Sequence, residues 1–289
     1  MPELPEVETI RRGLSRLIIG KAIRNITPLN EKSFPNALIS INQFSLGSTI
    51  VSVRRRAKVL IIDLDTQYSF VIHLKMTGQL VYRGLEDFAA GHPTDSFQAP
   101  LPDRSTRVIF EFTDDSHLYF NDQRKFGWIK FMPTVEIANM PFMQKVGPEP
   151  LEKDFTSQQF KSRFVRKQRS KIKSALLDQS VIAGVGNIYA DESLFFARIH
   201  PERLVESLTD EDFENLYEGV RSTMQASIDS GGSTMKTYVN ADGTKGSYLD
   251  KFAQVFRREG QSCPVCGSEI QKIRVAGRGT HICPNCQKR

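Results

Sequence analysis

The hydrophobic positions of the chain change their period about halfway along the sequence. Near the start, apolar residues recur at three- and four-residue spacing and predict an amphipathic helix over residues 5–18. These apolar residues are Val7, Ile10, Leu14, Leu17 and Ile18. Apolar runs at 59–64, 70–76 and 108–112 then predict strands, and the polar stretch at 113–117 predicts a hairpin turn. The first half of the chain is therefore predicted to be rich in β-strands.

Helical periods replace the strand pattern in the second half. The connection at 133–154 contains GPEPL, whose prolines interrupt regular structure. Beyond it, the pattern predicts helices over 156–177, 187–197 and 208–230. A polar, glycine-rich stretch at 232–247 predicts a long loop, after which all the cysteines follow.

Composition and charge narrow the class of protein. The 289 residues are 39% hydrophobic and 25% charged, which is enough for a sizeable core and argues against disorder. Lys and Arg total 39 against 33 Asp and Glu, so the net charge of +6 favours an anionic partner such as nucleic acid. The chain lacks a run of eighteen apolar residues and has charged residues throughout its first twenty, so we expect neither a membrane partner nor a signal peptide. A cytoplasmic location follows as an expectation.

The four cysteines form two Cys-x-x-Cys pairs. Cys263 and Cys266 make the first pair, Cys283 and Cys286 the second, and sixteen residues separate the pairs. This spacing is typical of structural zinc sites, in which four thiolates close a tetrahedral shell. Two disulfides are the alternative, but a reducing compartment disfavours them. The sequence therefore predicts one structural zinc ion in a small ribbon.

A basic segment precedes a glycine turn. Residues 161–173 contain seven basic residues and no acidic one, a composition that is also typical of a solvated helix face. Gly184 and Gly186 then stand just before Asn187, where a new helix is predicted. Such a turn presents free backbone N–H groups at a helix N-terminus, which favours phosphate. The combination is typical of a clamp on a DNA backbone.

The first six residues, MPELPE, allow two interpretations. Proline and acidic residues are favoured in the first turn of a helix, so Pro5 and Glu6 are explained by helix initiation alone. Removal of Met1, however, would leave Pro2 with a secondary α-amine. An α-amine has a pKa of roughly 7.7–8.0, against about 10.4 for lysine, so much more of it is neutral and nucleophilic at pH 7.

Eight short blocks occur in order along essentially the whole chain, namely MPELPEVETIRRGL, RRRAKVL, HLKMTG, DQRKFG, GPEPL, AGVGNIYADESLF, GGST…YVNADG and GRGTHICPNCQ. Together they resemble the formamidopyrimidine-DNA glycosylase family. The resemblance implies a base-excision-repair enzyme that acts on double-stranded DNA. It would remove oxidised purines such as 8-oxoguanine and formamidopyrimidines, and then cleave the abasic strand by β,δ-elimination.

The resemblance also implies roles for single residues. Pro2 would be the nucleophile that forms a Schiff base, Glu3 its neighbouring acid/base, and Glu6 an electrostatic support. Lys58 would act in β-elimination, and Arg278 would grip the lesion phosphate and assist δ-elimination. Contacts with the DNA backbone are implied for His73 and Asn187. The residues implied to fill the gap left by an extruded nucleotide are Met76, Arg124 and Phe126.

The hydrophobic pattern alone gives Met76 a different role. It shares its predicted strand face with Phe70, Ile72 and Leu74, which favours a position in the core. Chemistry at C1′, in contrast, requires the damaged nucleotide to leave the stack, and an apolar wedge can then replace the lost stacking.

The chain departs from the family pattern in three places. The stretch before residues 107–112 lacks a histidine that the family often has. Gln168 stands at the usual position of a lysine, so Arg166, Lys167 or Arg169 is expected to substitute. Arg257 replaces a glycine before the zinc module, which changes a backbone turn and adds charge on the DNA side.

We therefore predict an α+β fold of two domains. An N-terminal β-sandwich with flanking helices is expected over 1–135, followed by a linker over 136–154. A helical domain with a helix–two-turn–helix element is expected over 155–248, and a zinc ribbon over 249–289. The protein is expected to be a monomer that associates with the nucleoid when bound to DNA.

Two other functions remain open from the sequence. An endonuclease VIII-like enzyme for oxidised pyrimidines usually starts MPEGPE, whereas Leu4 stands here, and Phe126 in DQRKFG favours the purine branch. A non-enzymatic zinc-ribbon DNA-binding protein is disfavoured by intact Pro2, Glu3 and Lys58.

Overall fold

The protein is described by a computed structural model that covers residues 2–36, 38–92, 94–232 and 248–289. The described residues fall into two compact units, drawn from Met1–Gln144 with Ser230–Ser247 and from Lys145–Asp229 with Tyr248–Arg289. Apart from Gly232, the loop predicted at 232–247 lies outside the described residues.

The first unit is a β-sandwich. Its described strands are β1 (Ile23–Pro28), β2 (Ile50–Arg56), β3 (Val59–Leu64), β4 (Tyr68–His73), β5 (Gly78–Arg83), β6 (Phe88–Gly91), β7 (Thr106–Phe112), β8 (His117–Asp122) and β9 (Trp128–Pro133). They form two antiparallel sheets, in the orders β1-β7-β8-β5-β6 and β2-β3-β4-β9. The predicted strands at 59–64 and 108–112 and the turn at 113–117 are confirmed.

The described helices of the first unit are α1 (Leu4–Ile18), α2 (Leu38–Ser45) and α3 (Pro141–Lys145), the last residue of which belongs to the second unit. The predicted stripe of α1 is buried at Val7, Ile10, Leu14 and Ile18, which join the core between the sheets. Helix α1 contacts β2 and β3 of one sheet and β6 of the other. Its apolar face therefore fixes the direction in which the chain leaves Glu3.

The second unit contains helices and a two-stranded hairpin that lies between the two cysteine pairs. Its elements are α4 (Ser157–Ser162), α5 (Ile172–Leu176), α6 (Asn187–Phe196), α7 (Asp210–Asp229), α8 (Tyr248–Lys251), β10 (Gln271–Val275) and β11 (Arg278–Ile282). The helices predicted at 187–197 and 208–230 are confirmed as α6 and α7. None of the helices in the described ranges is long and apolar enough to cross a membrane.

The single helix predicted over 156–177 is wrong. The segment is divided into α4, a 3-10 turn at Val165–Lys167, and α5. The residues between the turn and α5 form hydrogen bonds with a distant segment instead of continuing a helix. The backbone carbonyls of Gln168 and Ser170 accept from the amides of Glu206 and Val205, at 3.1 and 3.0 Å respectively. These tertiary hydrogen bonds replace the intrahelical ones that the periodic pattern had suggested.

Candidate active site and nucleic-acid interface

The first site residues lie where α1 begins. Pro2 and Glu3 precede the helix and are buried, and only 3% of the Glu3 surface is exposed. The Glu3 amide donates to Glu6 Oε2 at 2.8 Å, and the Glu3 side chain accepts from the Glu6 amide. This capping box satisfies the first amides of α1 and holds the chain start in one conformation. Gly232, at φ +92°, packs against Glu6.

Lys58 lies in the two-residue turn between β2 and β3 and is 5% exposed. Ala57, the other turn residue, has φ +51°, a left-handed conformation that is unfavourable for alanine. Arg55 holds this turn, because its Nη1 donates to the Ala57 carbonyl at 3.0 Å while its Nε lies 3.3 Å from Glu8 Oε2. The turn of Lys58 is thus tied to the helix that follows Pro2.

His73, at the end of β4, is buried and neutral. Burial, together with the positive charges of Lys75 and Lys58, lowers the pKa of His73 to about 3. Its Nδ1 accepts a hydrogen bond from the Lys75 amide at 3.0 Å, so the ring proton is on Nε2. His73 therefore offers a neutral N–H donor near the charge of Lys58, a group suited to a phosphate oxygen.

Met76 does not continue the strand, so the core position that the hydrophobic pattern favoured is wrong. Strand β4 ends at His73, and the Gly78 amide donates to the Leu74 carbonyl at 2.9 Å across a tight turn. Lys75 has φ +50° in this turn, and Met76 is 42% exposed. A side chain added at Gly78 would place its Cβ 2.4 Å from the Leu74 oxygen, so the turn requires glycine there.

Arg124 and Phe126 lie in the loop between β8 and β9. The guanidinium carbon of Arg124 lies 4.7 Å from the centre of the Phe126 ring, which is 53% exposed. Buried Asp122 organises this loop by accepting from the amides of Arg124 at 3.2 Å and Gly127 at 2.6 Å. Asp122 also accepts from the hydroxyl of Thr77, next to Met76. One carboxylate therefore fixes both loops.

In the second unit, the structure brings Asn187 to the hairpin of Arg278. Gly184 has φ +80° in the turn before α6, and Asn187 is the first residue of the helix. Its Nδ2 donates to the Gly279 carbonyl at 3.0 Å, directly after Arg278 at the start of β11. Ala276 and Gly277, at φ +46° and +79°, form the hairpin turn that precedes Arg278.

A buried ion pair between Lys173 and Asp191 packs against this hairpin and holds it through hydrogen bonds. Lys173 Nζ lies 2.6 Å from Asp191 Oδ1 and donates to Thr280 Oγ1 at 2.7 Å. Asp191 Oδ2 also accepts from the His281 amide at 2.9 Å. Lys173 and Asp191 are fully buried, so Lys173 belongs to the scaffold and not to a basic surface.

The rest of the basic segment separates into paired and unpaired cations. Lys167 forms an ion pair with Asp178 at 2.6 Å, and Lys161 and Lys171 pair with Asp210 and Glu202. Arg166 and Arg169, in contrast, are exposed and form no ion pair with any residue that the structure describes. These two arginines are therefore better placed than Lys167 to substitute for the expected lysine at Gln168.

The four cysteines converge on one point. Their sulfur atoms all lie within 4.8 Å of one another, and those of Cys266 and Cys283 are 3.4 Å apart. A disulfide would require about 2.05 Å, whereas zinc–sulfur bonds of about 2.3 Å in a tetrahedron place sulfurs about 3.8 Å apart. The predicted structural zinc site is confirmed in its ligand set, and the disulfide alternative is wrong.

Several positioning residues were not predicted from the sequence. Asp122 lies within the DQRKFG block and Asp191 within AGVGNIYADESLF. The sequence spacing does not predict which groups form hydrogen bonds or ion pairs with these two carboxylates. Glu8 carries a partial signal, since Arg11 and Arg12 follow it at helical spacing and do pair with it. Its third partner, Arg55, comes from a distant strand and could not be inferred from local pattern.

Comparison with known proteins agrees with this architecture. Family models match residues 1–129 (formamidopyrimidine-DNA glycosylase N-terminal domain), 146–239 (the H2TH domain of the same family) and 260–289 (a zinc finger found in FPG and IleRS). A formamidopyrimidine-DNA glycosylase of Pelotomaculum thermopropionicum is 41% identical over 289 residues, covering 100% of this chain and 99% of that protein.

Solved structures agree as well. The Lactococcus lactis Fpg in complex with DNA that contains an abasic site has a TM-score of 0.86 at 34% identity, over 99% of this chain and 100% of that one. A variant of that enzyme with Fapy-dG DNA gives 0.86 at 35%, over 100% of both chains. The chain belongs to the formamidopyrimidine-DNA glycosylase family.

Proposed function

We propose that this protein is a bifunctional DNA glycosylase and abasic-site lyase that removes oxidised purines from double-stranded DNA. The observation that carries the proposal is the buried, capped chain start at Pro2 and Glu3, in the same unit as Lys58 and His73. The Lactococcus lactis enzyme, 34% identical to this chain, binds DNA with an abasic site, and a variant of it, 35% identical, binds DNA with a Fapy-dG lesion.

The first step breaks the glycosidic bond. Removal of Met1 frees the α-amine of Pro2. In its neutral form this amine attacks C1′ of the damaged nucleotide, and the electron pair of the C1′–N bond leaves with the base. Glu3 transfers the protons that attack and sugar-ring opening require. Opening of the sugar ring yields an iminium between Pro2 and C1′. Because proline is a secondary amine, this iminium has no N–H to lose and remains cationic.

Strand cleavage then follows from that charge. The cation acidifies the C2′ proton, and its removal breaks the bond from C3′ to the 3′ phosphate. Lys58 is the proposed base for this proton. A second elimination then releases the 5′ phosphate, and Arg278 is the proposed partner of the lesion phosphate in that step. His73 and Asn187 hold neighbouring phosphates, as do Arg166, Arg169 or Lys167. The zinc site supports the hairpin of Arg278 and takes no part in bond breaking.

The exposed side chains of the two loops are proposed to fill the space that an extruded nucleotide leaves. Met76 and Phe126 supply apolar surface, and Arg124 supplies hydrogen-bond donors for the orphaned base. Asp122 would keep the loops in register during insertion. Because the substrate is chromosomal DNA, we place the protein in the cytoplasm, associated with the nucleoid.

A panel of labelled duplexes tests the proposal. The protein should release 8-oxoguanine and formamidopyrimidine faster than thymine glycol, and should leave β,δ-elimination products. Glu3→Gln keeps an oxygen that can accept from the Glu6 amide but lacks the acid, so it should fold normally and lose about 10²–10⁴-fold in excision rate. Tight binding of abasic DNA without nicking would overturn the catalytic proposal, and faster release of thymine glycol would overturn the assignment to purines.

A further inference from the structure

Left-handed residues other than glycine are concentrated at the candidate site. Among the described residues they include four that lie within two residues of a proposed site residue, namely Ala57, Lys75, Lys125 and Ala276. Three others occupy ordinary turns: Gln67 and Asp115 join strands, and Arg198 follows the end of α6. Arg257, at φ +60°, is the remaining one. Strained backbone of this kind persists where function or surrounding structure maintains it.

The turn that contains Arg257 is one for which glycine is the favoured residue. The Arg258 amide donates to the Val255 carbonyl at 3.1 Å, so Phe256 and Arg257 are the central residues of a β-turn. A positive φ at the second central residue is usually supplied by glycine. The resemblance to the family also leads one to expect glycine here, so Arg257 occupies, at a conformational cost, a turn position that favours glycine.

Neighbouring contacts fix the turn against the zinc hairpin. The Glu192 carboxylate accepts from three successive amides, those of Gln254 at 2.8 Å, Val255 at 3.0 Å and Phe256 at 2.8 Å. The Phe256 ring packs against the ring of His281 at 5.0 Å. His281 lies three residues after Arg278 on β11, about 10 Å along the strand.

The guanidinium of Arg257 is available to an external anion. It is exposed, and its carbon lies 5.8 Å from the centre of the Phe256 ring, which limits its directions. No carboxylate among the described residues forms an ion pair with it. The acidic residue nearest in sequence, Glu259, lies 3.1 Å from Lys272 Nζ and 3.1 Å from His281 Nε2.

We propose that Arg257 binds a backbone phosphate of the DNA, adding a contact beside those proposed for Asn187 and Arg278. This inference rests on the proposed function, because it requires that DNA lies on the hairpin face. The arginine that replaces the family's glycine thereby has a binding role. Its positive charge contributes affinity for DNA, and the strained turn orients its side chain.

Replacing Arg257 by glycine separates the two effects. Arg257→Gly relieves the strain and removes the charge, so its unfolding midpoint should be equal to or above that of the parent protein. Affinity for a duplex with a tetrahydrofuran abasic analogue should fall, roughly 4- to 10-fold at 50 mM salt. Since one phosphate contact contributes about 0.9 to the slope of log affinity against log salt, the affinity ratio should shrink about 3.5-fold by 200 mM salt. Arg257→Lys should recover part of the affinity.

Arg198→Gly is the matched control, because Arg198 is also exposed and has φ +57°, but lies at the opposite end of α6 from Asn187. It should leave both affinity and salt slope unchanged. If Arg257→Gly retains the parent affinity and slope, the inference is wrong and the arginine is merely tolerated. If the parent protein itself fails to bind the lesion duplex, the proposed function fails instead.

Discussion

Arg55 Nε lies 3.3 Å from Glu8 Oε2, and this contact joins the Lys58 turn to α1, the helix that follows Pro2 and Glu3. Arg55 simultaneously holds the Ala57 carbonyl at 3.0 Å, so it bridges the strained turn and α1. Two groups proposed to act on one sugar, the Pro2 amine and the Lys58 amine, thereby share a single support. Arg55 is a positioning residue and not a catalytic one.

Removing that support should slow strand cleavage more than binding. Arg55→Met should lower the rate of abasic-site nicking about tenfold, which corresponds to about 1.4 kcal/mol, with little change in the KM for the duplex. Arg12→Met is the matched control, since exposed Arg12 also pairs with Glu8 but does not contact the turn. Equal effects of the two variants would show that the bridge has no special role.

The ion pairs of Glu8 with Arg11, Arg12 and Arg55 predict that the stability of the protein depends on pH. Burial raises the pKa of Glu8, but hydrogen bonds and charges from Arg11, with Arg12 and Arg55, outweigh it and hold the pKa below its ordinary value. The stabilisation is therefore present above the unfolded pKa near 4.5 and is lost as the pH falls through the lower folded value. Glu8→Gln should reduce the unfolding free energy at pH 7 and flatten its decline below pH 4.5. A parallel decline in both proteins would contradict this.

His73 should remain neutral throughout the working range. Its folded pKa of about 3 lies below the ordinary 6.5, so the unfolded chain takes up the proton first, and stability falls as the pH decreases from 6.5 towards 3. Nitrogen-15 NMR of the imidazole should show one protonated nitrogen, Nε2, at pH 5. Observation of a doubly protonated ring at pH 5 would contradict the proposed role as a neutral phosphate donor.

The wedge proposal predicts different losses on two substrates. Phe126→Ala should slow excision of 8-oxoguanine about tenfold or more, because the ring no longer fills the vacated stack. Nicking of a preformed abasic site needs less extrusion work and should change less. Val135→Ala offers a matched control, since Val135 is also an exposed apolar residue of the first unit, outside the loops. Equal losses on both substrates would assign Phe126 to general binding or folding.

Zinc removal should disconnect the Arg278 hairpin. Metal analysis should find one zinc per chain, and Cys266→Ser should lose it together with affinity for lesion duplex. Because Cys263 and Cys283 pack in a cluster with Phe195 and Val255, the second unit should also lose stability. The β-sandwich should retain its own unfolding transition. Full zinc content and affinity in the variant would contradict the four-cysteine site.

Local patterns sufficed for much of this molecule. The stripe of α1, the strand β3 and the cysteine spacing each involve residues close in sequence, whose period or spacing reports directly on structure. The failures arose where distant segments decided the outcome. The helix predicted at 156–177 is broken by hydrogen bonds to residues 203–206, and Lys173, which resembled its basic neighbours, is buried against Asp191.

The Met76 turn shows a third limit. Alternation of apolar residues continues from Phe70 to Met76, but the amide of Lys75 bonds to His73 Nδ1 and turns the chain outward after β4. The family resemblance implied an exposed role for Met76 that the hydrophobic pattern opposed. The observed exposure agrees with that implication, and its function in DNA remains a proposal.

The most direct test of the central claim is to trap the covalent intermediate with borohydride on duplex DNA that contains 8-oxoguanine, and to map the crosslinked residue by mass spectrometry. With Met1 removed, the adduct should map to the nitrogen of Pro2. A form that retains Met1 should give little adduct, and Pro2→Gly should eliminate more slowly, because its imine can lose its charge. An adduct at Lys58, or equal trapping by the form that retains Met1, would contradict the claim that the chain start is the nucleophile.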